Sequence, residues 1–224
     1  MNWQDEGFLL SKRKFRENAI IINVFTQIHG KISGIVYGGN SRKIRNYLQV
    51  SNKIFSIYNS KNDGKIGYFK TELIKPISPR FFHDKTITSL LLSLSSILNT
   101  LLPEGQPNNS IYISLENLIS KLEDKNIIFN YIDWELNLLK QLGFDIQLGN
   151  FKKDITDKKI QTIKIDNITY KIPNFVISKK VPDSSQNELI KLALQFNRNL
   201  FINKLFLPNN LVFPKARILL EKFF

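Results

Sequence analysis

Residues 31–49 read KISGIVYGGNSRKIRNYLQ: an apolar strand from Ile32 to Tyr37, a Gly38-Gly39-Asn40 break, then a short basic run. Gly-Gly-Asn tolerates positive φ, so the chain can reverse there without a Cβ penalty. Arg42, Lys43 and Arg45 make the basic run, with Tyr37 and Tyr47 at its edges. This pattern predicts a cationic loop held between strands of a small sheet, suited to gripping a nucleic-acid backbone.

The segments on either side extend the sheet. Gly7 to Ser11 is a short apolar run, followed at once by Lys12, Arg13, Lys14, Phe15 and Arg16. Asn18 to Thr26 is rich in β-branched residues and reads as a buried strand, with Ile28 to Lys31 as the turn into Ile32–Tyr37. Tyr47 to Tyr58 alternates as a strand, Asn59 to Gly64 reads as a turn, and Ile66 to Ile74 is a fifth strand before Pro76 and Pro79. Five short strands without crossover helices predict a small antiparallel barrel. By strand count alone an oligonucleotide-binding (OB) barrel and an SH3-like barrel fit equally.

From Asp84 the period changes to that of helices. Thr86–Leu102, Ile111–Leu122 and Ile127–Leu142 carry aliphatic stripes at i, i+3, i+4, and Gly143 is placed to terminate the last. Such stripes are read as bundle core. Asp145 to Asp183 breaks the pattern with Lys152-Lys153, Lys158-Lys159, an alternating stretch Ile160–Tyr170 and Lys179-Lys180, which predicts a hairpin-like insertion. Asp183-Ser184-Ser185 offers N-caps for an amphipathic helix from Gln186 to Phe206, and Pro214 opens a short closing helix. The expected fold class is α+β: a barrel domain over 1–80, then a mostly helical domain over 81–224 with a β or irregular insertion near 145–183.

Charge points to a polyanionic partner. The net charge is +13. Residues 1–80 hold 14 Lys+Arg against 5 Asp+Glu, whereas residues 81–224 hold 18 against 14. An AT-biased genome would spread lysine evenly, yet five of the seven arginines fall in the first 80 residues. That concentration favours a nucleic-acid-binding barrel over compositional drift. The candidate DNA contacts are Lys12, Arg13, Lys14, Arg16, Lys31, Arg42, Lys43 and Arg45, with Tyr37 and Tyr47 able either to stack on bases or to pack in the barrel.

Other chemistries find little support. There is no cysteine, which removes disulfides, thiolate metal sites and thiol nucleophiles. His29 and His83 are isolated and read as a turn residue and a junction residue. Gly38-Gly39-Asn40-Ser41 lacks the strand–loop–helix frame of a phosphate loop. Asp5-Glu6 and Glu123-Asp124 are neighbours whose side chains point apart. The reading is non-enzymatic, without cofactor or metal. No run reaches the ~18 apolar residues of a membrane span, and Asp5 and Glu6 stand where a signal peptide would be basic, so a cytoplasmic protein is expected.

Several segments then carry a resemblance. Trp3–Leu10 (WQDEGFLL), Arg16–Ile21 (RENAII), Phe25–Lys31 (FTQIHGK), Gly38-Gly39 with Ser41-Arg42 and Leu48-Gln49 follow in order. Trp134–Leu139 with Leu142-Gly143-Phe144, and Phe213–Arg217, come later. Together they resemble the RecO family of DNA repair proteins over nearly the whole length. The resemblance implies an N-terminal OB barrel and a helical C-terminal domain. It further implies a nucleoid-associated recombination mediator that binds ssDNA and dsDNA, anneals complementary strands and assists RecA loading with RecR. It also implies binding of the acidic tail of single-stranded-DNA-binding protein. Many members carry a zinc-binding cysteine cluster after the Leu-Gly-Phe segment; Gly149–Lys180 here has none. The alternative reading is a protein-interaction adaptor for acidic tails that touches DNA incidentally.

Overall fold

In a computed structural model of the 224-residue chain, the described residues are 2–60, 66–154, 159–182 and 187–224, with side chains omitted at 152–154. The expected turn through Gly64, the lysines at 152, 153 and 158, and the N-caps at 183–185 lie outside what is described. The chain forms two compact units: residues 1–112 with 214–220, and residues 113–213 with 221–224.

The first unit is built on five strands, β1 (Asn2–Arg16), β2 (Ala19–Thr26), β3 (Gly30–Tyr37), β4 (Lys53–Asn59) and β5 (Gly67–Lys75). They close into a barrel in the order β1-β2-β3-β5-β4, with β4 returning to β1. All pairings are antiparallel except β3 with β5. The order and the single parallel pairing are those of an OB barrel rather than an SH3-like one. β1 is long enough to pair first with β4 and then with β2, and bulges at Leu9/Ser11 and Lys14/Arg16 bend it between them.

Inside the barrel, Leu9, Ile20, Ile22, Val24, Ile32, Val36, Leu48, Ile54, Tyr58 and Phe69 form one apolar cluster. A smaller cluster of Ala19, Ile21 and Ile35, with Tyr68 packed against it, lies on the opposite face of β2 and β3. β2 is therefore buried on both faces and shows almost no polar–apolar alternation.

The basic run after Gly-Gly-Asn is helical, not a loop. α1 spans Arg42–Tyr47, its first turn capped by Ser41 Oγ, which accepts from Ile44 N at 3.4 Å. The fourth strand accordingly starts at Lys53, not at Tyr47. After the barrel, α2 (Lys85–Leu101) is capped by Asp84 and belongs to the same unit. Ser51 Oγ lies 2.8 Å from Ser95 Oγ, and Asn23 Nδ2 donates to Asn99 Oδ1 at 2.6 Å, so polar ties as well as apolar packing hold α2 to the barrel.

α3 (Asn109–Ser120) leads into the second unit, followed by α4 (Ile127–Gln141), a β6–β7 hairpin (Ile160–Ile165, Ile168–Pro173), α5 (Asn174–Ser178) and α6 (Asn187–Phe201). α7 (Lys215–Leu220) returns to the first unit. Gly143 ends α4 region at φ +96°, as its place after Leu142 predicts. The insertion is a hairpin: Asp166 and Asn167, both at positive φ, make its two-residue turn. Ile163, Tyr170 and Ile172 are buried, and Asn203 Nδ2 donates to Tyr170 Oη at 2.9 Å, so packing and pairing hold it. α4 and α6 share a buried polar link, with Tyr131 Oη donating to Glu135 Oε1 at 2.8 Å and Asn197 Nδ2 donating to Ile132 O at 2.9 Å. No helix among the described residues is long and apolar enough to cross a membrane.

Candidate nucleic-acid interface

Two turns meet at one end of the barrel. Gly38 N donates to Asn18 O at 2.7 Å, and Asn40 Nδ2 donates to Glu17 O at 2.6 Å. These bonds tie the β1–β2 turn to the β3–α1 turn, and so bring the basic end of β1 beside basic α1. Both glycines are required. Gly38 sits at φ +69°, and a Cβ on Gly39 would lie 2.5 Å from Ile20 Cγ1.

Strand alternation divides the Lys12–Arg16 run between two faces. Lys12 pairs with Ile22 and Lys14 with Ile20, both members of the interior cluster; Arg13 pairs with Ile21 and Arg16 with Ala19, both of the outer cluster. Lys12 and Lys14 therefore stand over the barrel mouth, where they line a groove of about 220 Å³ with Ile20, Gly39, Asn40, Arg45 and Leu48, and Arg13 at its rim. On α1, Ile44 and Tyr47 turn toward the interior while Arg42, Lys43 and Arg45 face solvent. Helical spacing puts Arg42 and Arg45 on one side.

Electrostatically the groove is unbalanced. Among the described residues none of Arg13, Lys14, Arg16, Arg42, Lys43 or Arg45 forms an ion pair. Lys12 Nζ donates to Leu48 O at 2.6 Å and to Gln49 Oε1 at 3.1 Å, both uncharged acceptors. Burial pushes its ammonium below the ordinary lysine range, and nearby Arg45 pushes it further the same way. An anion in the groove would favour the charged ammonium against both effects.

The remaining candidates fall elsewhere. Lys31 lies at the opposite end of β3, six residues or about 20 Å from Tyr37. Its Nζ donates to Asn99 O at 2.7 Å near the end of α2, and its carbonyl accepts from Gly105 N at 2.9 Å. Burial lowers the Lys31 pKa, partly offset by Glu104. It does not converge with the other cations. Tyr47 is committed to the barrel: it packs on the interior cluster, and its Oη donates to Thr71 O at 2.6 Å. Tyr37 is 63% exposed. The two tyrosines thus separate, one structural and one available.

Sequence reading missed Asn40 and Gln49, which position the basic residues, and Tyr68, whose ring lies 6.4 Å from that of Tyr37. The available signal was parity: Tyr68 is adjacent to core residue Phe69 and so faces outward. For zinc, the residues do not fit. The chain has no cysteine, and no cluster of three His, Asp or Glu suited to a metal occurs among the described residues.

Comparison with known proteins agrees with this architecture. The family model "Recombination protein O N terminal" matches residues 1–77, and "Recombination protein O C terminal" matches residues 83–150. The "DNA repair protein RecO" of Wolbachia pipientis wMel is 30% identical, over 98% of this chain and 99% of its own length. Those of Roseobacter denitrificans and Hyphomonas neptunium are 33% and 34% identical, each over 66% of this chain and 62% of their own. Among solved structures, Entamoeba histolytica asparaginyl-tRNA synthetase aligns with 87% of this chain and 43% of its own at a TM-score of 0.28 and 10% identity, too distant to carry an argument. With a five-stranded OB barrel, a following helical region and family matches over both, the chain belongs to the RecO family of DNA repair proteins.

Proposed function

We propose that this chain is a non-enzymatic recombination mediator that binds ssDNA and dsDNA through the cationic end of its barrel. It anneals complementary strands and, with RecR, assists RecA loading. The observation that carries this reading is the juxtaposition of two basic runs, tied turn to turn, without an acidic partner among the described residues. The mechanism is charge neutralisation. Cations on the groove and its rim replace the counterions of two phosphate backbones, lowering the repulsion that keeps complementary strands apart. Lys12, Arg13, Lys14, Arg16, Arg42, Lys43 and Arg45 position backbone and read no sequence.

The test is a salt titration of DNA binding. The double variant Arg42→Ala/Arg45→Ala removes two phosphate contacts, so the slope of log affinity against log salt should fall by roughly 1.4 on single strands and 1.8 on duplex. An unchanged slope refutes the groove assignment.

The adaptor alternative has its own support in the second unit. Phe129, Ile132, Leu136, Phe175, Val176 and Val181 line a half-apolar pocket edged by Lys179 and Lys180. Lys179 Nζ is paired with Asp133 at 2.9 Å, while Lys180 has no ion pair among the described residues. The adaptor reading sets an acidic tail, such as that of single-stranded-DNA-binding protein, against this lysine edge. Annealing of bare strands by the purified protein, without a partner, separates the two readings.

A further inference from the structure

The outer face of the barrel carries a second arrangement, of which charge neutralisation uses only the two arginines. Cross-strand pairing sets Arg13 of β1, Ile21 of β2, Ile35 of β3 and Tyr68 of β5 in one row across four strands. The adjacent row runs from Arg16 through Ala19 to Tyr37. Each row therefore has an arginine at one end, an apolar floor, and a tyrosine at the other. Three strand spacings of ~4.8 Å make the longer row about 14 Å wide. Ala19, Ile21 and Ile35 are buried, with Tyr68 packed over them, so the floor is firm. Tyr37 stands 63% exposed, its ring centroid 6.4 Å from that of Tyr68 and inclined at 53°.

We propose that Tyr37 and Tyr68 form a base-stacking platform for single-stranded nucleic acid, with Arg13 and Arg16 holding the phosphates of the same strand. The proposal rests on the DNA-binding reading above and adds a strand preference to it. An exposed phenol ring beside an apolar floor is costly to leave in water, and a nucleobase presents a flat π-face that fits it regardless of sequence. Charge complementarity sets the orientation: backbone toward β1, bases toward β3 and β5. A duplex keeps its bases stacked on one another and so cannot use the tyrosines. The platform therefore discriminates in favour of single strands, whereas the groove cations serve both forms.

The experiment compares a labelled dT oligomer, an abasic oligomer of equal length and a duplex, each titrated with the full-length protein. Stacking is worth about 1–3 kcal/mol per base, so the intact protein should bind the dT oligomer roughly tenfold more tightly than the abasic one. Tyr37→Leu should abolish that difference, leave duplex binding unchanged, and leave thermal stability unaltered because the side chain is exposed. Tyr37→Phe should retain it, since the ring rather than the hydroxyl is used. Tyr68→Leu, which keeps the floor covered, should lose part of it. If dT and abasic oligomers bind equally well, or if Tyr37→Leu binds dT as tightly as the parent, the platform is refuted while DNA binding by the groove stands. If no oligomer binds at all, both readings fall.

Discussion

The two ends of β3 carry cations of opposite fate. At the Gly30 end, Lys31 is spent on structure: it satisfies the Asn99 carbonyl and lies near Glu104. At the Tyr37 end, α1 and the tip of β1 present seven cations with no acidic partner among the described residues. Along the chain, both are simply basic residues beside a turn. What separates them is whether the fold supplies an acceptor. A basic residue that already caps a helix has little left for a phosphate, and one facing only water or other cations has all of it.

The strongest way to break this contrast is to strip each end in turn. Arg42→Ala/Arg45→Ala should weaken ssDNA binding by roughly thirtyfold at low salt, taking about 1 kcal/mol per exposed contact, with no change in the circular dichroism spectrum. Lys31→Met should do the reverse: a loss of about 1–2 kcal/mol in urea unfolding from the orphaned carbonyl, with DNA affinity held within about twofold. Equal losses of DNA affinity in the two variants would end the distinction between the ends.

A smaller effect sharpens the same contrast between the two tyrosines. Tyr47→Phe removes the hydrogen bond to Thr71 O and should cost about 1 kcal/mol of stability, measured by thermal melting, without touching DNA affinity. An affinity loss in that variant would mean Tyr47 leaves the barrel to meet DNA.

The smallest effect is in pH. Lys12 has a folded pKa below its unfolded one, from burial first and Arg45 second. In the alkaline window below the ordinary lysine pKa of 10.5, the folded chain then holds fewer protons than the unfolded chain, so this group makes folding more favourable as pH rises there. A bound phosphate favours the charged ammonium, so DNA binding takes up a proton and affinity falls a few-fold as pH rises through that window. Lys12→Arg should flatten the dependence. Lys31→Met should not, although burial lowers Lys31 in the same direction, because no phosphate reaches it.

Much of the barrel was legible because its signals are local. The turn at Gly38-Gly39-Asn40, the β-branched run before it and the periodic stripe of α2 are each written within a dozen residues. The fate of residues 42–47 was not, since a basic run after a turn is equally consistent with loop or helix until Ile44 and Tyr47 find the interior cluster to pack on. Nor was the division of Lys12–Arg16 between mouth and outer face. Alternation says that neighbours oppose one another, but β2 is apolar on both faces, so nothing in its pattern says which side is inside.

By itself, then, the sequence determined the presence of five barrel strands and of the longer helices, the turn, the concentration of cations in the first 80 residues and the absence of thiol chemistry. Only the tertiary structure decided where those cations stand. Closing the barrel through the parallel β3–β5 pair set which face of β1 is interior, sent Tyr47 inward and Tyr37 outward, and placed Tyr68 beside Tyr37. It also delivered Lys31 to the end of α2, 68 residues away in the chain. Pairings between distant segments carry no local signature, and the sign of a residue's facing is fixed only when they form.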